Sequence, residues 1–221
     1  MKAIVFDLDG LMVDSEPLAR RAWEFVLEDY DRVLDEELYQ KMIGLRLEDS
    51  SRLVGETLNI KVDPADLARK EEAKFEVIMA EGLPKMPGLD ELLACIEELA
   101  IPWAVATSSR LAYARTVLDS IGMLDRCWAI ASGEEVTRGK PHPDVYLLAS
   151  SRLGIRPEEC IALEDSAPGC QSAKAAGMLT IAVPESLHNV DDFTCANYVY
   201  RSLSEVAMDL EKLMAHAEGF E

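Results

Sequence analysis

Two aspartates, Asp7 and Asp9, stand at the end of the first apolar segment of the chain. The segment before them, residues 3–6, is short and apolar, as is typical of a strand buried on both faces of a parallel sheet. Two carboxylates this close repel each other unless a cation lies between them. Open α/β sheets bind their ligands at the carboxyl ends of strands. The pair therefore indicates a ligand site or, taken alone, a simple turn that Gly10 completes.

Polar side chains that could do chemistry also follow three later segments with the pattern of buried strands. Right-handed crossovers in a parallel sheet bring the carboxyl ends of all its strands to one edge. We therefore expect these side chains to converge with Asp7 and Asp9. They are Thr107 with its neighbours Ser108 and Ser109, Lys140 in a polar loop, and the acid pair Glu164 and Asp165.

Acids, a hydroxyl and a lysine at one sheet edge predict phosphate chemistry assisted by Mg²⁺. This cation prefers oxygen ligands and keeps water molecules that a substrate can replace. A carboxylate attacks a phosphate dianion only when a metal and a cation such as Lys140 reduce the charge repulsion. In this hypothesis Asp7 is the nucleophile and forms an aspartyl-phosphate. Asp9 protonates the leaving alkoxide and then deprotonates water.

Each of these residues also has a purely structural interpretation. Thr107 and the acid pair at 164–165 could cap the helices that follow them, where acids also favour the helix N-terminus. Lys140 could be a solvated loop lysine. The coincidence favours the chemical interpretation, because four strand ends would each have to carry the required residue type by accident.

The elements that position these residues fall into two regions of different secondary-structure pattern. Residues 15–83 have helical periodicity and contain no convincing strand, whereas strands and helices alternate after Pro84. The sequence predicts an α/β fold, a parallel sheet with helices on both faces and an all-helical segment inserted after the first strand. The predicted domains are 1–14 with the first core strand, 15–83 as the helical domain and 84–221 as the catalytic core. The later strands are predicted at 103–106, 127–131, 160–163, 179–183 and 198–200.

Composition and charge narrow the class of partner. The net charge of −19 repels phosphate backbones and anionic membranes, so we expect neither nucleic-acid nor membrane binding. No apolar run approaches the roughly 18 residues of a membrane span, and the N-terminus has no signal-peptide pattern. The five cysteines are scattered, which favours a reducing cytoplasm. We expect a cytoplasmic enzyme, a monomer by default, that acts on a small phosphorylated metabolite.

Four motifs add a family resemblance that covers nearly the whole chain. FDLDG, VATSS, GKPHPDVY and ALEDSAPGCQSAKAAG are similar, in this order, to the motifs of the haloacid dehalogenase-like hydrolase superfamily. The sequence most resembles its branch of small-molecule phosphatases and β-phosphoglucomutases. The resemblance implies a Rossmann-like core with an all-helical cap inserted after the first strand. It therefore implies the same layout as the alternation of helices and strands.

The resemblance also implies a role for each motif residue. Asp7 is then the nucleophile, Asp9 the acid and base, and Thr107 and Lys140 the motif hydroxyl and lysine. Ser108 and Ser109 lie beside the phosphate. In the cap, Arg46 stands in a segment similar to the specificity loop of related phosphatases, and its alternative is a solvated arginine at a helix start. Mg²⁺ is held by Asp7, the backbone carbonyl of Asp9, Glu164 and Asp165.

Departures from the family patterns separate the alternatives. Dehalogenases of the superfamily lack the second aspartate, so Asp9 counts against that reaction. The β-phosphoglucomutases carry a cap histidine where this chain has Ala19, which favours a hydrolase over a phosphosugar mutase. A non-catalytic, receiver-like phosphate-binding module is disfavoured because the acid pair lies near the end of the chain. The P-loop and dinucleotide-binding glycine motifs are both absent from the sequence.

Overall fold

The computed structural model describes residues 1–43, 45–79, 82–184 and 193–215. In these ranges six parallel strands form one sheet, in the order β3-β2-β1-β4-β5-β6. The α/β class and the parallel sheet predicted from the sequence are therefore confirmed. The strands are β1 (Ala3–Phe6), β2 (Trp103–Ala106), β3 (Ala129–Ala131), β4 (Cys160–Glu164), β5 (Leu179–Ala182) and β6 (Tyr198–Val199).

β1 lies at the centre of the sheet because each of its side chains is apolar and fully buried. It pairs on one side with β2, where Ile4 is opposite Trp103, and on the other with β4, where Ile4 is opposite Ile161. Successive side chains of a strand point to opposite faces. This central position between β2 and β4 determines which strand ends can lie beside Asp7.

Helices cover both faces of the sheet. Ile4 and Phe6 pack against α5 (Leu89–Glu98), α6 (Leu111–Ser120) and α9 (Leu203–Ala215). Ala3 and Val5 belong to a second apolar cluster with α7 (Asp144–Leu153) and α8 (Ala167–Ala175). The alternation of β1 residues between the two clusters is the reason that this strand reads as a continuous apolar run.

The regular elements described between β1 and α5 are all helices. Their own apolar cluster includes Trp23, Val26, Leu38 and Val54, all of them buried. This cluster lets the helices pack on one another while the sheet keeps a separate core. The helices are α1 (Glu16–Glu28), α2 (Glu36–Met42), α3 (Leu47–Thr57) and α4 (Pro64–Met79).

The chain enters and leaves this helical segment along paired connections. The N–H of Asp14 donates to the carbonyl of Pro84 at 2.9 Å, and the N–H of Met86 donates to that of Met12 at 2.9 Å. The inserted helices are thus joined to the rest of the chain by two connecting segments that are hydrogen-bonded to each other. The division at 14 and 83 into core and cap stays a prediction, and residues 185–192 and 216–221 of the predicted core lie outside the described residues.

The third strand is shorter than its predicted range of 127–131. Cys127 donates its N–H to the carbonyl of Met123 at 3.1 Å, so this residue belongs to the turn after α6. Trp128 is 72% exposed, and the strand starts only at Ala129. The apolar run continues through both residues, which is why periodicity alone placed the strand start too early. Across the described ranges the helices are too short or too polar to cross a membrane.

Candidate active site

Three neighbouring strands deliver polar side chains to one edge of the sheet. Asp7 follows β1, and its N–H donates to the carbonyl of Leu163 at 3.0 Å. Thr107 follows β2, Glu164 is the last residue of β4, and both are buried. Because β1 is hydrogen-bonded to both neighbours, the three side chains emerge side by side. Ser108, Ser109 and Asp165 follow directly, so the sequence-predicted strand-end residues share this edge.

Lys140 reaches this edge from the loop before α7. Its ammonium group donates to Oδ1 of Asp7 and, at 2.5 Å, to Oε1 of Glu164. Burial by itself lowers the pKa of Lys140, but the charges of Asp7 and Glu164 outweigh it and leave that pKa raised. The lysine is therefore a permanent buried cation. Lys140 precedes Pro141 through a cis peptide bond.

Glu164 is held by donors on both of its oxygens. Oε1 accepts from the hydroxyl of Tyr146 at 2.7 Å in addition to Lys140, and Oε2 accepts from the hydroxyl of Ser166 at 3.0 Å. A Cβ on Gly169 would lie only 1.9 Å from Oε1 of Glu164, so this helix position needs glycine. The carboxylate orientation is thus built into the start of α8.

Asp7, Glu164 and Asp165 form an acidic cluster that could hold a metal ion. One carboxylate oxygen from each lies within 4.8 Å of the others. Burial raises the pKa of Asp7 to about 7; Lys140 opposes this shift, and the charges of Glu164 and Asp9 add to it. Burial, followed by the charges of Asp7 and Glu164, also raises the pKa of Asp165. A cation would relieve this repulsion, and an all-oxygen donor set fits Mg²⁺.

Asp165 and Gly10 are closely fitted. Gly10 has a φ of +82°, and a Cβ there would lie 2.2 Å from Oδ2 of Asp165. A side chain would therefore be strained by the backbone and would displace the carboxylate. Gly10 is required for the acidic cluster as well as for the turn after Asp9.

Asp9 turns toward α6. Its Oδ2 accepts from the hydroxyl of Ser109 at 2.8 Å, and its Oδ1 accepts from the hydroxyl of Tyr113 at 2.6 Å. The hydroxyl of Thr107 lies farther away, 3.5 Å from Oδ2. These donors fix the Asp9 carboxylate, although it is less buried than Asp7. The predicted role of Asp9 in proton transfer stays a prediction.

Sequence reasoning missed two tyrosines that hold the site. Tyr113 donates to Asp9, and Tyr146 donates to Glu164, with its ring centroid 5.3 Å from the ammonium of Lys140. Tyr146 is buried and Tyr113 is partly buried, and on their helices both are indistinguishable by pattern from packing aromatics.

A cavity of about 650 Å³ opens above this sheet edge. Its lining includes Asp7, Asp9, Lys140 and Asp165 from the core, and side chains from α1, α2, α3 and α4. Arg110 donates to Glu72 at 2.9 Å and to Glu48 at 3.2 Å, which ties the core to the inserted helices. The site therefore lies where the sheet edge faces the insertion.

Arg46 lies away from the lining of this cavity. Its Nε donates to Asp49 at 2.9 Å, and its side chain packs over Gly139, next to Lys140. A Cβ on Gly139 would come within 2.8 Å of the Arg46 side chain. The predicted substrate role of Arg46 stays a prediction.

A family model described as haloacid dehalogenase-like hydrolase matches residues 1–177. The chain belongs to this family. Its relatives include both phosphatases and mutases. Hexitol phosphatase A of Escherichia coli strain K12 is 35% identical over 182 residues, covering 82% of each chain. The β-phosphoglucomutase of Bacillus subtilis strain 168 is 27% identical over 217 residues, covering 95% of this chain and 93% of its own.

The fold of this haloacid dehalogenase-like hydrolase is shared by solved structures. The crystal structure of a β-phosphoglucomutase from Clostridium difficile superposes with a TM-score of 0.88 over 98% of this chain and 97% of its own. Its 22% identity extends the comparison to the fold only. Membership of the family favours the chemical interpretation of the convergence of Asp7, Lys140 and the acid pair at 164–165 over a set of helix caps, and the catalytic roles of these residues stay predictions.

Proposed function

We propose that the protein is a Mg²⁺-dependent phosphatase that hydrolyses a small phosphomonoester, a sugar phosphate or similar metabolite, through an aspartyl-phosphate on Asp7. The observation that carries this proposal is the buried Asp7 carboxylate, which contacts Lys140 and lies within 4.8 Å of Glu164 and Asp165. Phosphatases named among the curated relatives support the same reaction class.

The reaction begins with attack of an Asp7 oxygen on phosphorus. The bond between phosphorus and the leaving alcohol's oxygen breaks, and that oxygen takes a proton from Asp9. Water then attacks the aspartyl-phosphate, and Asp9 removes its proton. Inorganic phosphate leaves, and the carboxylate of Asp7 is restored. Lys140 stays charged throughout and reduces the repulsion between Asp7 and the phosphate.

The metal and the hydroxyl residues would support the phosphate. Asp7, the Asp9 carbonyl, Glu164 and Asp165 would hold Mg²⁺, which supplies charge neutralisation at the phosphoryl group when bound. Thr107, Ser108 and Ser109 would contact the phosphate oxygens, while Ser109 also fixes Asp9. We assign Arg46 a substrate role only if the inserted helices move relative to Gly139.

Hydrolysis is favoured over phosphosugar transfer by the residue at position 19. Ala19 lines the cavity, so the methyl group there offers no proton donor or acceptor toward a bound sugar. We propose further that residues 15–83 act as a cap over the core and that the enzyme is a cytoplasmic monomer. Its described cysteines are all free, which suits a reducing compartment.

The direct test is phosphate release from a panel of sugar phosphates by the purified protein. We expect Mg²⁺-dependent release of inorganic phosphate that stops when EDTA removes the metal. Chromatography of the sugar products separates the two reaction types: a hydrolase yields free sugar, and a mutase yields an isomeric sugar phosphate. Isomerisation without net phosphate release would contradict the proposal. Asp7→Asn serves as the inactive control, with circular dichroism to confirm that it folds.

A further inference from the structure

Glu71, on α4, is a buried acid in the cavity wall. Only 5% of the residue is exposed, and it lines the same cavity as Asp7 and Asp9. No side chain or backbone group among the described residues donates a hydrogen bond to it or forms an ion pair with it. Every fully enclosed side-chain oxygen or nitrogen in the described ranges has a partner. The Glu71 oxygens must therefore reach the open space of the cavity.

An acid without a partner is costly for the folded protein. Burial raises the pKa of Glu71 to about 8, and the charges of Glu72 and Asp9 add to this shift. Buried polar groups in proteins are almost always hydrogen-bonded, and each exception needs an explanation. Because nothing in the described fold uses this carboxylate, a bound ligand is the missing partner that its position indicates.

The charges around Glu71 define what that ligand can carry. Glu48, Glu72 and Glu76 also line the cavity from the inserted helices. The cations in the described lining, Arg110 and Lys140, are each engaged by two acids. A second phosphate or carboxylate on the substrate would therefore face an acidic wall with no uncommitted lysine or arginine. Hydroxyl groups, by contrast, can donate to Glu71.

We propose that Glu71 is a specificity-determining residue that accepts hydrogen bonds from hydroxyl groups of the leaving alcohol and disfavours a second anionic group. The preferred substrates are then monophosphates of neutral polyols or sugars, rather than bisphosphates or phosphorylated sugar acids. This inference rests on the proposed phosphatase function and narrows its substrate class. It concerns the wall of the cavity and not the reacting groups at the sheet edge.

The test compares Glu71→Gln and Glu71→Lys with the parent protein on three substrates. Fructose 6-phosphate carries hydroxyl donors, fructose 1,6-bisphosphate carries them with a second anion, and acetyl phosphate carries neither. Asp66→Asn is the matched control, because Asp66 lies on the same helix but pairs with Arg69 at the surface. Thermal unfolding of each variant confirms folding, and Glu71→Gln should unfold at the same temperature as the parent or higher.

Above pH 8, where Glu71 of the parent protein is ionised, we expect Glu71→Gln to lower the ratio of kcat/KM for the monophosphate over that for the bisphosphate by about tenfold. Glu71→Lys should lower the ratio further, and Asp66→Asn should leave it unchanged. The value of kcat/KM for acetyl phosphate should change far less in the Glu71 variants than the value for fructose 6-phosphate.

An unchanged ratio in both folded Glu71 variants would overturn the inference and leave the proposed function intact. An equal loss on all three substrates would also overturn it, because the effect would then not depend on the leaving alcohol. Failure of the parent protein to release phosphate from any of the substrates would contradict the proposed function itself.

Discussion

At the sheet edge, the buried carboxylate of Glu164 accepts hydrogen bonds from Lys140, Tyr146 and Ser166. On α4, Glu71 is buried almost as deeply and accepts none from the described residues. Both carboxylates lie in the same region of the molecule, yet Glu164 has hydrogen-bond donors on each of its oxygens and Glu71 has none among the described residues. The comparison separates acids that the protein orients with its own hydrogen-bond donors from acids whose hydrogen-bond partner is supplied by a bound substrate.

The physical reason lies in what each region has to do. Transition-state stabilisation requires charges that are already oriented. Under the proposed function, this is why the fold fixes the acids at the sheet edge with its own donors. Substrate recognition requires polar groups that gain a hydrogen-bond partner only when the substrate binds. Because these groups have no partner in the free protein, they lower its stability. Under this interpretation, replacing the hydrogen-bond partner of an acid at the sheet edge should strongly lower stability. Replacing the unpartnered Glu71 on α4 should change stability little or raise it.

The largest expected effect follows from replacing the shared cation at the sheet edge. In Lys140→Met, Asp7 and Glu164 lose their common donor and face each other as buried anions. Breaking a buried ion pair in this way costs about 3–5 kcal/mol, and losing an electrostatic catalytic group costs on the order of 10²–10³ in kcat. Urea unfolding and phosphate release measure the two losses.

Lys41→Met is the control for this variant, because Lys41 pairs with Glu37 on the exposed face of α2. Exposed pairs of this kind contribute little to stability. Equal behaviour of the two lysine variants would contradict the idea that the sheet edge depends on its internal partners.

A smaller effect should appear in the pH dependence of stability without metal. The pKa of Glu71 is raised in the folded protein from 4.5 to about 8, so the folded state binds more protons than the unfolded state between these values. Stability contributed by the protonated form is therefore lost as pH rises through about 8. The charged groups that raise the pKa of Glu71, in addition to burial, are Glu72 and Asp9.

Thermal unfolding of the parent and of Glu71→Gln in EDTA, from pH 5 to pH 8, measures this loss. Asp7 also has a raised pKa and contributes a loss of the same sign, but it does so in both proteins. The difference between the two curves therefore isolates Glu71. We expect Glu71→Gln to be the flatter curve, with a gap at pH 8 of at least about 2–4 °C, the shift for about 1 kcal/mol in a chain of this size. Parallel curves would mean that Glu71 has a partner in solution.

The two regions also differ in how far the sequence alone could predict them. The central strand and the polar residues beyond it were predictable because apolar runs that end in acids mark strand ends in a parallel sheet. Strand β3 was predicted too long, since apolarity continues through Cys127 and the exposed Trp128. The sheet edge is therefore encoded locally, in short motifs of neighbouring residues.

The cavity wall depends on tertiary contacts, which short sequence motifs do not predict. Glu71 lies among other acids of α4, in a stretch that reads as a solvated helix face. Its burial comes from the tertiary packing of α4, which contacts α1 and α3. Tyr113 was missed for the same reason, because its hydroxyl reaches Asp9 across the fold. Arg46, singled out from the sequence, pairs with Asp49 instead of lining the cavity.

The central claim, that Asp7 is the nucleophile, is tested most directly by trapping its phosphorylated form. Asp9→Asn removes the base for the second step, whereas acetyl phosphate releases acetate, a leaving group that needs no proton from Asp9. Incubation with Mg²⁺, acid quenching and peptide mass mapping should then find one phosphoryl group on Asp7, and none in the Asp7→Asn, Asp9→Asn double variant. Phosphate release with Asp7 unmodified, or a phosphoryl group on another residue, would contradict the account.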